Sequence, residues 1–202
     1  MRMNAMATGY EWDLDSFRTG ERIREYRLRR NLTQGELLDL LYNIAPVSRT
    51  SYCAWEKGDK TPTVSHFLAL AYVFGCTLND LIVTGGKAFD QGREQAQWKD
   101  TEKSEGWDMD LVWTGERIRE IRCKKNQRQD QVLESLRKIG APISKTSYSA
   151  WENGYKPPTL RHILALCRVF GCSPDELIVS EAEGWNAVRQ KQAEMAKCLK
   201  RR

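Results

Sequence analysis

Ser48-Arg49-Thr50-Ser51-Tyr52-Cys53-Ala54-Trp55-Glu56-Lys57-Gly58 is written again 96 residues later as Ser144-Lys145-Thr146-Ser147-Tyr148-Ser149-Ala150-Trp151-Glu152-Asn153-Gly154. Serine is a strong helix N-cap, and glycine suits the left-handed residue that closes a helix, so each stretch predicts a short helix with defined ends. Tyr52 and Trp55, three residues apart, share its inward face. Arg49, Thr50, Cys53 and Ala54 remain on the other face, matched in the second stretch by Lys145, Thr146, Ser149 and Ala150.

The repetition extends outward from this helix. Trp12-Asp13-x-Asp15 and residues 19–25 recur 95 residues later, and Leu81-Ile82-Val83 recurs as Leu177-Ile178-Val179 at an offset of 96. One residue has therefore been inserted between Gln34 and Pro46, and the chain is two copies of one module. In the first copy, residues 20–30 predict a basic amphipathic helix carrying Arg22, Arg24, Arg27, Arg29 and Arg30 on its outer face. Thr33-Gln34-Gly35-Glu36 has capping-box spacing and starts a leucine-rich second helix. Pro46 breaks the pattern before Ser48. Thr63 caps a fourth helix with Val64, Phe67, Leu68, Leu70, Ala71 and Phe74 apolar at helical spacing, ending at Gly75, and Thr77 caps a short fifth. Five short helices without a strand signal predict a compact all-α domain in each copy.

The 202 residues carry a net charge of +5 with 29% charged residues. No apolar run reaches the roughly 20 residues that span a bilayer, and residues 1–8 lack the apolar core of a signal peptide, so the expected location is cytoplasmic. The six cysteines form no C-x-x-C pair; each sits singly in an apolar context, as expected of small buried thiols rather than a disulfide framework. Cys76 and Cys172 are equivalent, Cys167 aligns with Ala71, and Cys53 aligns with Ser149. His66 and His162, the only histidines, are equivalent and read as structural. No clustered metal ligands, nucleophile–base set or phosphate loop is present, so neither a cofactor nor an enzyme is expected.

Thr33-Gln34-Gly35-Glu36-Leu37, Ser48, Trp55-Glu56-Lys57-Gly58, Pro62-Thr63 and Gly75-Cys76-Thr77-Leu78-Asn79-Asp80-Leu81 together resemble the helix-turn-helix domain of the phage repressor and Cro-type (XRE) family. The resemblance implies two tandem five-helix, lambda-repressor-like domains that bind double-stranded DNA. It makes the Ser48 and Ser144 helices the recognition helices, which enter the major groove by their N-terminal turns. Base reading then falls to Arg49, Thr50, Cys53 and Ala54 and to Lys145, Thr146, Ser149 and Ala150. Phosphate contacts fall to Gln34, Ser48 and Lys60 and to Gln129, Ser144 and Lys156, where the family's glutamine either binds a phosphate or braces the recognition helix. The implied function is a transcriptional regulator with two similar reading heads for a two-half-site operator, inverted if the copies pack about a pseudo-twofold axis and direct if they are strung along the groove. The alternative is an antitoxin-like or adaptor protein that uses the same fold to hold a protein partner.

Two departures from the family pattern stand out. The connection to the recognition helix is about four residues longer than usual and centres on Pro46. In the second copy Arg128 replaces the capping threonine, which costs about 1 kcal/mol of helix stability. The expected division is a first domain over 10–83, a partly helical linker over 84–106, a second domain over 107–179 and a basic C-terminal helix over 180–202. Trp185, Val188, Met195 and Leu199 recur there at near-heptad spacing, which suits packing on its own domain, pairing with another chain or contact with DNA.

Overall fold

A computed structural model describes residues 10–42, 44–85 and 108–180. Among these, the first copy forms α1 (Ser16–Arg29), α2 (Gln34–Leu41), α3 (Arg49–Lys57), α4 (Val64–Phe74) and α5 (Leu78–Leu81), and the second forms α6 (Leu111–Lys124), α7 (Gln129–Lys138), α8 (Lys145–Glu152), α9 (Leu160–Phe170) and α10 (Pro174–Leu177). The described residues are therefore all-α, with only two isolated β-bridges, Leu14 to Thr84 and Met109 to Ser180, at equivalent places in the two copies. The further helices expected in the linker and tail, including the self-association proposed for the tail, lie outside the described residues.

Helix ends follow the capping chemistry. Ser48 Oγ accepts the Ser51 N–H at 3.2 Å, and Gly58 closes α3 with φ 76°. Thr33 and Glu36 form the reciprocal box at α2. In α7 half of that box survives, because the Arg128 N–H still donates to Gln131 Oε1 at 2.8 Å, but Arg128 supplies no side-chain cap. The first helix begins a turn earlier than its apolar pattern indicates, since Asp15 Oδ1 accepts the Arg18 N–H and serves as the cap.

Each core gathers one aromatic pair and the apolar faces of the helices around it. Ile23, Leu37, Leu41, Tyr52, Trp55, Phe67, Leu70, Phe74 and Leu81 are buried in the first copy, with Ile118, Val132, Leu136, Tyr148, Trp151, Ile163, Leu166, Phe170 and Leu177 in the second. The first helix of each copy crosses the third at glycine: a β-carbon on Gly20 would collide with the Trp55 carbonyl oxygen, and one on Gly115 with that of Trp151. Only a residue without a side chain lets two backbones approach this closely.

The copies also pack on each other, and they do so through equivalent positions. Asp175, at the start of α10, accepts the backbone N–H groups of Leu78 and Asn79, at the start of α5, at 2.8 Å each. Asn79 and Asp175 are the same position in the two copies. A cavity of about 650 Å³ lies between the copies, lined by Leu14, Thr61, Pro62, Thr63, Val64 and Ser65 from the first. Their counterparts Met109, Pro157, Pro158, Thr159, Leu160 and Arg161 line it from the second. Equivalent surfaces meeting each other make an isologous, pseudo-twofold interface.

Candidate nucleic-acid interface

The outer faces of α3 and α8 hold the residues expected to read bases. Arg49, Thr50, Lys145 and Thr146 are exposed on the first turns, and Cys53, Ala54, Ser149 and Ala150 are half-buried one turn on. Lys60 and Lys156 are exposed in the loops that follow. Ser48 and Ser144 are exposed, and their hydroxyls are engaged as helix caps and with Ser51 and Ser147. The structure thus brings the expected base-reading residues of each copy onto one surface.

Gln34 and Gln129 brace the recognition helices. Gln34 Nε2 donates to Glu56 Oε2 at 2.8 Å and its Oε1 accepts the Cys53 thiol at 3.3 Å, while Gln129 Nε2 donates to Glu152 Oε2 at 2.7 Å. Behind each glutamine lies a buried ion pair that the charge pattern hides. Arg27, counted from sequence among the basic residues of an outer face, is instead turned inward: its Nε donates to Glu56 Oε1 at 2.6 Å and its Nη1 to the Leu32 carbonyl at 2.8 Å. Arg122 does the same with Glu152 and the Gln127 carbonyl. Tyr52 adds a hydroxyl donor to Glu56 at 2.8 Å. Burial alone pushes the two glutamates up, but the donated hydrogen bonds, led by Arg27 and Arg122, leave both below the usual carboxylate range. The Trp-Glu pair was legible as a motif; the basic partner was not, although its recurrence as Arg27 and Arg122 was a usable signal.

The long connection before the recognition helix is pinned by histidine. Thr63 Oγ1 lies 2.7 Å from His66 Nδ1, the Pro46 carbonyl accepts from the ring, and the ring packs on Trp55 with centroids 4.8 Å apart. A carbonyl only accepts, so Nε2 carries the proton and Nδ1 receives the threonine hydroxyl. His162 repeats the arrangement with Thr159, Pro142 and Trp151. The extra residues are therefore anchored to the first turn of α4 and α9 in both copies.

The two faces differ in charge. Lys145 Nζ lies 3.0 Å from Asp130 Oδ1, whereas Gly35 stands at the position of Asp130 in the first copy and leaves Arg49 without that acidic neighbour.

Two short helices joined by a turn, the second braced from behind and presenting a polar, basic first turn, define a helix-turn-helix DNA-binding module, present here twice. The chain belongs to the XRE-type helix-turn-helix family, whose model matches residues 23–81 and again residues 118–177. It is a DNA-binding regulator of that type, and the family is generally non-enzymatic. Comparison with curated proteins and with solved structures gave no match. No helix among the described residues is long and apolar enough to cross a membrane.

Proposed function

We propose that the protein is a transcriptional regulator that binds, as a single chain, an operator of two similar half-sites in inverted orientation. The observation that carries this reading is the interface between the copies, where Asn79 faces Asp175 and the 61–65 and 157–161 segments line one cavity. Heads related by a pseudo-twofold axis present their recognition helices to DNA in opposite senses, which matches inverted half-sites about one helical turn, ~34 Å, apart. The chain then does alone what a symmetric dimer does with two.

Within each head, Arg49 and Lys145 donate to guanine or phosphate, and Thr50 and Thr146 offer a hydroxyl and a methyl to base edges. Cys53 against Ser149 makes the half-sites similar rather than identical. The helix N-termini and Lys60 and Lys156 hold phosphates, so affinity falls steeply with salt. Selection of bound sequences from a random duplex pool tests the reading directly. An inverted repeat of two related half-sites is expected; a direct repeat overturns the proposed geometry, and no enriched motif overturns sequence-specific regulation. The double substitution Arg49→Ala, Lys145→Ala should abolish selection of that motif in gel shifts while leaving the helical content intact.

A further inference from the structure

The end of α9 carries two cysteines in a turn built to hold them together. Gly171 closes the helix at φ 60°, and the Cys172 N–H donates back to the Cys167 carbonyl at 3.1 Å. In this closure the residue before the turn and the residue after it place their side chains in contact, a position usually filled by two apolar groups. The 3.1 Å hydrogen bond also caps the separation of their α-carbons at roughly 7 Å, the outer limit of what a disulfide bridges. The equivalent turn at the end of α4 has the same closure, with the Cys76 N–H donating to the Ala71 carbonyl at 3.0 Å, but its helix residue is alanine. The second copy alone has a thiol on both sides.

We propose that Cys167 and Cys172 are a redox modification site that a hydroperoxide converts reversibly to an intramodule disulfide. Cys172 is half-buried and is the thiol that oxidant reaches, while Cys167 is buried behind it. The two thiols shift each other in opposite directions: Cys167, helped by Lys125, holds the Cys172 thiol below its ordinary value, while Cys172 and burial push Cys167 up. The roles follow from this asymmetry: Cys172 is the nucleophile and Cys167 the resolving thiol. The Cys172 thiolate attacks a peroxide oxygen, forming an S–O bond as the O–O bond breaks and hydroxide leaves to take up the proton Cys172 gave up. Cys167 then loses its proton and attacks the Cys172 sulfur; the S–S bond forms, the S–O bond breaks, and the departing hydroxide leaves with that proton as water. Two thiols and one hydrogen peroxide give one disulfide and two waters. The bond closes the turn three residues ahead of Asp175, where the second copy holds the first.

The test treats the full chain with hydrogen peroxide, blocks free thiols, and maps tryptic peptides by mass spectrometry. Cleavage after Arg168 separates the two cysteines, so the disulfide joins peptide 162–168 to peptide 169–189, and dithiothreitol separates them again. Cys76 should remain unlinked. Cys167→Ala, which copies the turn of the first module, should instead leave Cys172 as a sulfenic acid trapped by dimedone. The proposal is overturned if Cys172 of the unaltered chain stays reduced, bonds to another cysteine, or proceeds to sulfinic acid while Cys167 remains free.

Discussion

Asn79 and Asp175 occupy one position in two copies of a module, and they face each other: the Asp175 carboxylate accepts the Asn79 backbone N–H at 2.8 Å. In a homodimer this position would meet its own twin, and two aspartates there would repel. Fusing the copies into one chain lets the two differ. The first is an amide and the second an acid, and Pro174, having no N–H, stands where the first copy has Leu78.

Asn79→Asp should therefore destabilise the interface, by about 1–3 kcal/mol, because it sets a second carboxylate against Asp175 in partly buried surroundings. Thermal unfolding at neutral pH measures the loss. Unchanged stability would show that the copies are not held at this point.

The second head is restrained by its own acid. Asp130→Gly copies the first module at this position, frees Lys145 from its 3.0 Å ion pair and removes a negative charge beside the proposed reading face. Affinity for the second half-site should rise roughly threefold to tenfold at low salt, with the gain shrinking as salt increases. Fluorescence anisotropy on isolated half-sites gives the ratio, and a decrease would mean that Asp130 positions Lys145 productively.

Glu56→Gln keeps the shape of the site but leaves the Arg27 guanidinium buried without its carboxylate, since both side chains are less than a tenth exposed. Removing one partner of such a pair costs about 3–5 kcal/mol, and the amide recovers part of it, so a loss of about 2–4 kcal/mol in urea unfolding is expected. A loss below 1 kcal/mol would show the ion pair to be dispensable.

Stability should fall in two stages as the solution is acidified. His66 and His162 sit below their ordinary value of 6.5, chiefly through burial, so below that pH the unfolded chain takes up protons the folded one refuses. Glu56 and Glu152 are likewise depressed below 4.5, so their contribution is present above that pH and is lost as pH drops through their folded values. Denaturation at fixed urea from pH 8 to 3 should show a plateau above 7, a decline beginning near 6.5 and a steeper one below 4.5. A rise in stability between pH 7 and 5 would contradict the neutral histidine cross-braces.

Gly115→Ala should lower the melting temperature although alanine favours helix, because the added carbon meets the Trp151 carbonyl oxygen. A cost of about 1–3 kcal/mol is expected, and a stabilised variant would show that α6 and α8 can separate at little cost.

Local chemistry made the modules legible. Caps at Thr33, Ser48 and Thr63, left-handed glycines at Gly58 and Gly75, and apolar spacing within each helix are decided by residues a few positions apart, so the helix order and the exposed face of α3 could be read from the chain. The start of α1 was harder, because Asp15 caps a turn whose apolar face is thin. The duplication established two similar modules in the same way, by direct comparison of one stretch with another.

What the sequence could not give was the set of partners brought from afar. Arg27 looked like one more surface cation until folding placed it against Glu56, 29 residues away, in a buried site where a charge is stable only when paired. His66 was identified as structural, but its grip on Pro46 and Trp55 exists only once three separate segments converge. Most of all, two linked modules can be strung out or turned face to face with the same residues, since a linker fixes neither. The contact of Asn79 with Asp175 decides between them, because the start of α5 has N–H groups to satisfy and the second copy carries the carboxylate that satisfies them.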